Sequence, residues 1–342
     1  MIIPHNRLTL GAEEEKAAQR VLQSGRLVNG RETEAFELEF CERLNIPAGH
    51  AIATNSGTAA LYLALRVLEA SGKKIAFPAY VCSSLRHAVA MVGGEESLTD
   101  TSAHSPIMDF FQAENARADI AILPHLFGIP TEISSHLQKL EWIEDCAQAL
   151  GAQVNGQSVG LQGTLGIFSF YATKLITSGG QGGMIVSKDL HLIEEIRDFL
   201  NFDGRKDDKR RFNFPLTEVQ AAIGREQLKK LDSFLMRREE VFQKYREKGF
   251  TLVDCEPSSR VNLTPVRYRA IVRTKNPRTL IQKLAQHQIQ AIIPIEEWEI
   301  LGPSHLFPNA KDLALSTLSL PIYPTLSDSD VDRVISILEP LL

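Results

Sequence analysis

The stretch FSFYATKLITSGGQGGM, Phe168 to Met184, sets a single lysine between a Ser/Thr/aromatic run and the glycine-rich segment Gly179–Gly183. Lysine resists burial, and glycine loses more backbone freedom on ordering than any other residue. A segment holding both is either a surface loop or a built site. The apolar runs at its two ends, Gly166–Phe170 and Met184–Val186, have the length and composition of buried strands, so the lysine lies in a connection between strands.

Similar short apolar runs recur upstream at Lys74–Phe77, Ile120–Leu123 and Glu141–Ile143. Helical periodicity separates them at Ser83–Met91, Glu132–Gln138 and Leu190–Leu200. Residues 12–24 and 32–45 also read as helices with acidic first turns, and NSGTAALYLALRVLEASG reads as one helix from a polar start at Asn55 to a stop at Gly72. Strand and helix in alternation predict an α/β chain, a mostly parallel sheet with flanking helices. Beyond Asn213 the character changes. TEVQAAIGREQLKKLDSFLMRREEVFQKYREKG is one long helical pattern suited to bridging two bodies, and from Phe250 a strand (RYRAIVR), a helix (TLIQKLAQHQ) and a last helix from Asp328 predict a small α+β domain. The expected division is 1–240 and 241–342.

Hydrophobic residues make up 44% and charged residues 23%, values of an ordinary globular protein. With 37 basic and 42 acidic side chains the formal charge is -5, so no general field draws the chain to nucleic acid or anionic lipid. No apolar run reaches the ~18–20 residues of a membrane span, and the first residues lack a signal-peptide layout. A cytoplasmic location and small-molecule partners, or copies of the chain itself, are expected. Cys41, Cys82, Cys146 and Cys255 form no CxxC pair and the histidines no HExxH spacing, so neither a metal site nor a disulfide framework is expected.

Three segments suit one anionic, carbonyl-bearing ligand. In ATNSGTAAL, Ala53 to Leu61, a Ser/Gly/Thr cluster opens a helix whose first N–H groups and dipole attract an anion, although Ser56 or Thr58 would serve equally as a plain cap. In WIEDCAQALG, Trp142 to Gly151, an apolar run ends on Glu144 and Asp145, where an aspartate can hold a ring nitrogen protonated or simply terminate the strand. The opening stretch adds an amine nucleophile, Lys174. The acid and base run DGRKDDKRR, Asp203 to Arg211, reads as a solvated loop or as a contact for an anionic substrate.

NSGTAAL, PAYVC, LPHLFGIP, IEDCAQALGA, FSFYATK with GGQGGM, FNFPLTEVQAAIGREQL and LSLPIYPTLSD, in that order, resemble the DegT/DnrJ/EryC1/StrS family of pyridoxal-phosphate aminotransferases, best known for acting on nucleotide-linked keto-sugars. The resemblance spans nearly the whole chain and implies the fold-type I PLP-dependent transferase architecture, with a mostly parallel seven-stranded sheet. It implies pyridoxal 5'-phosphate (PLP) as cofactor, with Lys174 similar to the lysine that forms the Schiff base and moves the proton. Asp145 matches the partner of the pyridinium nitrogen, Gln148 a contact to the ring, and Gly57, Thr58 and Ser169 phosphate ligands. Asn213 resembles an asparagine that reaches the phosphate in a neighbouring subunit, which implies a homodimer with shared sites. The position expected to stack on the ring is Cys82, with Tyr80 two residues earlier as the other candidate. Pro215 stands where the family commonly has arginine, and IIPIEEWEILGP replaces the usual His/Tyr segment.

The activity this implies is transfer of an amino group, with glutamate as the expected donor, to the keto group of a nucleotide-linked sugar or related carbonyl compound. A PMP-dependent sugar dehydratase, which carries histidine in place of the lysine, and a PLP-binding regulatory relative without turnover are the alternatives. Lys174 argues against the dehydratase.

Overall fold

The computed structural model describes residues 2–28, 30–133, 140–255 and 260–341. Its main sheet has seven strands: β1 (Ala51–Thr54), β2 (Lys74–Pro78), β3 (Glu95–Thr99), β4 (Ile120–Pro124), β5 (Glu141–Asp145), β6 (Leu165–Ser169) and β7 (Gly183–Val186). The spatial order is β1-β7-β6-β5-β4-β2-β3. Only β7 runs against its neighbours, pairing antiparallel with both β1 and β6. The central strands are buried through their middles, and β4 (IAILP) along its whole length, which explains their apolar text. β3 is the strand that hydrophobicity does not announce. Its sequence, EESLT, lies at a sheet edge with its first two residues in solvent.

Helices α1 (Ala12–Ser24), α2 (Arg31–Leu44), α3 (Gly57–Val67), α4 (Ser84–Val92), α5 (Phe110–Asn115), α6 (Leu190–Leu200) and α7 (Glu218–Glu247) surround this sheet. The α3 helix is shorter than its sequence pattern. It ends at Val67, and Glu69 turns into the left-handed region at φ 52. The helix expected over Glu132–Gln138 falls largely on residues 134–139, outside those described. The α7 helix has 30 residues and a capping box at Thr217 and Gln220.

Beyond α7 come β8 (Ala270–Arg273), α8 (Pro277–Gln286), α9 (Pro308–Ser316), β9 (Thr317–Leu320) and α10 (Asp328–Leu338). β8 and β9 pair antiparallel, and their apolar faces join Val241, Tyr245, Leu284 and Val334 in a core of their own. Ile3 belongs to that core as well, bridging to Ile289, so the start of the chain threads back across its end. Among the described residues no helix is long and apolar enough to cross a membrane.

The topology gathers strand ends. β1, β2, β4, β5 and β6 all point the same way, and the segments that leave their carboxyl ends carry Ser56, Cys82, His125, Gln148 and Lys174 respectively. Such an edge is where open α/β sheets place their ligands.

Candidate active site

A pocket of about 300 Å³ opens at this edge, and its lining includes Ser56, Gly57, Thr58, Cys82, Asp145, Gln148, Ser169 and Lys174. Seven of the residues singled out from the sequence for the cofactor and for catalysis thus converge from four separate segments.

Its anion-binding end is built by backbone. Ser56 caps α3, its side chain accepting from Ala59 N–H at 3.1 Å. Among the described residues the N–H groups of Gly57 and Thr58 have no acceptor within the chain, so they and the helix dipole are free for an anion. Ser169 lies against them at the end of β6. A Cβ on Gly57 would stand 2.8 Å from Ser169 Cβ. Gly183, at the start of β7, is equally confined, since a Cβ there would meet the Ser56 carbonyl oxygen at 2.6 Å. The glycine run after Lys174 therefore lets β7 pass beneath the α3 cap.

The floor is β5 and the turn after it. Asp145 accepts from Ala147 N–H at 3.0 Å through Oδ1, leaving Oδ2 without a partner among the described residues. Burial raises its pKa, against the opposing pull of the Ala147 N–H and of Lys174 and His125. Gln148 lines the pocket while its Oε1 accepts from Phe127 N–H at 2.7 Å, which ties the β5 and β4 exits together.

Glu144, next to Asp145, faces the other way, as strand alternation requires. It is fully buried and meets only donors: Gln162 N–H at 2.7 Å and Gly163 N–H at 2.9 Å on Oε1, His125 Nε2 at 2.9 Å and Gln162 Nε2 at 3.1 Å on Oε2. Burial alone would raise its pKa, but the His125 hydrogen bond and charge and the Gly163 and Gly160 N–H groups outweigh it, so the carboxyl lies below its ordinary value. His125 Nδ1 accepts from Thr131 N–H at 3.2 Å. The ring proton therefore sits on Nε2, pointing at Glu144. Cys146 Sγ completes a buried cluster with these two side chains, with ligand atoms within 4.8 Å, but His125 and Glu144 are spent on protein hydrogen bonds and burial holds the Cys146 thiol well above its usual pKa. Neither Glu144 nor His125 was singled out from the sequence as a site residue; the paired carboxylates of the IEDCAQ block gave no sign of which served the scaffold.

Lys174 sits in the β6–β7 connection, its N–H donating to the Tyr171 carbonyl at 2.8 Å. Its Nζ lies 5.5 Å from the centroid of the Tyr268 ring. Tyr268, which the sequence did not flag, is buried at 6% exposure. Burial pushes its phenol up, but Lys174 and Arg269 outweigh that and hold it below its ordinary pKa.

One expectation is revised. Tyr80 is fully buried and packs edge-on against Phe127 with ring centroids 6.4 Å apart, and it is absent from the pocket lining. The chain bends over residues 79–81 after β2, so side chains two apart no longer share a face, and Cys82, which is exposed, occupies the wall. Asn213 is exposed in the segment before α7 and does not reach this chain's pocket. The charged run 203–211 folds back on the end of α6, where Arg205 and Arg211 bond to Asp198 and Arg211 also to Asp207. It contributes nothing to the pocket wall.

Residues 8–339 match the DegT/DnrJ/EryC1/StrS aminotransferase family. The chain is 32% identical over 360 residues to the erythromycin biosynthesis sensory transduction protein EryC1 of Saccharopolyspora erythraea, spanning 97% of this chain and 96% of that one. It is 32% identical over 351 residues to the dTDP-3-amino-3,4,6-trideoxy-alpha-D-glucose transaminase of Streptomyces venezuelae, at 95% and 91% coverage. The crystal structure of S. venezuelae DesV in complex with a ketimine intermediate matches with a TM-score of 0.88 at 30% identity, over 96% of this chain and 94% of that one. The chain belongs to the DegT/DnrJ/EryC1/StrS aminotransferase family, and its fold is that of the PLP-dependent sugar aminotransferases.

Proposed function

We propose that the chain is a PLP-dependent aminotransferase that moves an amino group, with glutamate as donor, onto the keto group of a nucleotide-linked sugar. The observation that carries this reading is the meeting of Lys174, Asp145 and the uncapped N–H groups of α3 in one pocket. A relative named as a dTDP-3-amino-3,4,6-trideoxy-alpha-D-glucose transaminase supports the sugar as acceptor.

The residues present fit the cofactor. The free N–H groups of Gly57 and Thr58, with Ser169 beside them, suit its phosphate. Asp145 offers an unused carboxylate oxygen to the ring nitrogen, and Cys82 and Gln148 flank the space for the ring. When bound, PLP carries the amino group from donor to acceptor and takes up the electron pair left as a C–H bond breaks.

The chain's own groups do the rest. Lys174 Nζ would anchor the cofactor and hold and return the proton at the substrate carbon. Asp145 would keep a proton on the ring nitrogen. Glu144 and His125 hold the strand ends that orient both. Asn213 acts in trans, on the phosphate of a neighbouring subunit's site, and the working unit is a homodimer.

The test is a half-reaction. The PLP-loaded protein mixed with glutamate should release 2-oxoglutarate in stoichiometric amount, and a nucleotide-linked keto-sugar added next should be aminated. If no amino acid yields its keto acid, the reading is wrong.

A further inference from the structure

An amino-acid donor brings a carboxylate into the site, and a carboxylate taken out of water needs a cation or several donors. Among the residues lining the pocket, Lys174 is the only lysine, and no arginine is present. The free N–H groups of α3 are claimed by the other anion. A second cation lies across the Tyr268 ring. The Arg269 guanidinium carbon is 5.3 Å from that ring's centroid, and Lys174 Nζ is 5.5 Å from the same point.

Arg269 differs from its neighbours in being uncommitted. Arg267 binds both Glu239 and Asp254, and Arg273 binds Asp312. Arg269 has no carboxylate partner among the described residues. Among the described residues its one hydrogen-bond contact is His5 Nε2, at 3.3 Å from Nη1. Nor does His5 supply negative charge. It also bonds to Ser319 Oγ at 2.8 Å, and burial, then Arg269 and Arg238, push its pKa down to about 3. Arg238, buried beside them, gives its Nη1 only to backbone carbonyls, those of Arg267, Tyr268 and Ile322. Around Tyr268 the chain thus collects Lys174, Arg269 and Arg238, and neither arginine has a carboxylate partner among the described residues, while Arg269 keeps part of its surface in solvent.

We propose that Arg269 is a specificity-determining residue that takes a carboxylate of the amino donor, with the Tyr268 ring fixing its guanidinium relative to Lys174. The proposal rests on the reading of Lys174 as the amine at the reacting centre. It assigns the donor's anion to the residue just before β8, apart from the α3 anion site. Neither the sequence pattern nor the pocket lining names this residue.

Glutarate, which has the carbon skeleton of glutamate without a reactive amine, is the binding probe. Calorimetry on the PLP-loaded protein should show glutarate binding, weakened about 30-fold in Arg269→Gln and partly restored in Arg269→Lys, with cofactor affinity and thermal midpoint unchanged in both. Half-reactions with glutamate and alanine locate the contact. A raised KM for both donors places Arg269 on the α-carboxylate, and a raised KM for glutamate alone places it on the side-chain carboxylate; either supports the proposal. Equal glutarate affinity in wild type and Arg269→Gln overturns it, as does failure of the wild type to bind glutarate at all. A wild type that binds glutarate through Arg269 yet exchanges no amino group would contradict the aminotransferase reading instead, so the two failures are distinguishable.

Discussion

Gly57 and Ser169 approach so closely that a Cβ on Gly57 would stand 2.8 Å from the Cβ and 3.1 Å from the Oγ of Ser169. One residue opens α3 and the other ends β6, so their contact sets where the helix's free N–H groups stand relative to the strand that leads to Lys174.

Gly57→Ala should therefore push α3 away from β6. Overpacking of this kind costs about 1–3 kcal/mol, and the loss should appear as PLP affinity weakened by about 10-fold or more, read by absorbance titration. Unchanged affinity would mean that the α3 terminus does not hold the phosphate.

Glu144 meets donors on both oxygens, so Glu144→Gln turns an amide NH2 toward at least one of them. Breaking a buried charged contact costs about 3–5 kcal/mol, and urea denaturation should show a loss in that range. A loss below about 1 kcal/mol would remove Glu144 from its role as the tie between the strand ends.

His5 gives a pH signature. Its pKa falls from 6.5 in the unfolded chain to about 3, so the folded protein binds this proton less readily than the unfolded one. The stabilisation is fully present above pH 6.5 and is lost as pH falls toward 3, by at most about 1.4 kcal/mol per unit. His5→Gln keeps an acceptor for Ser319 and Arg269 but does not titrate. The stability of wild type relative to His5→Gln should decline between pH 6.5 and 4.5, and a constant difference would contradict the shift.

Asn213 is exposed and lies outside its own chain's pocket, and its proposed role is in the neighbouring site. Lys174→Ala and Asn213→Ala should each be impaired alone, while a mixture allowed to exchange subunits should regain activity, because one site of each hybrid dimer carries neither change. No recovery from a mixture proven to contain hybrids would place Asn213 elsewhere.

The central strands were legible because burial writes itself into sequence, as in IAILP, and seven residues flagged from the sequence line one pocket, although a lysine followed by glycines reads equally as a surface loop. The edge strand EESLT was not legible, since solvent on its outer side removes the apolar signal. Tyr80 and Cys82 could not be told apart from spacing, because two-residue periodicity presumes an extended chain and residues 79–81 bend. Tyr268 and Arg269 lie nearly a hundred residues beyond Lys174, and no local pattern links a residue of the small domain to a loop of the large one. Only their packing brings them together.

The claim on which the account depends is that Lys174 is the amine joined to PLP. Borohydride reduction of the loaded protein followed by peptide mass mapping tests it directly. The cofactor's mass is predicted on the peptide containing Lys174 and nowhere else, and should be absent from Lys174→Ala. Label on another lysine, or label that persists in Lys174→Ala, would contradict the assignment.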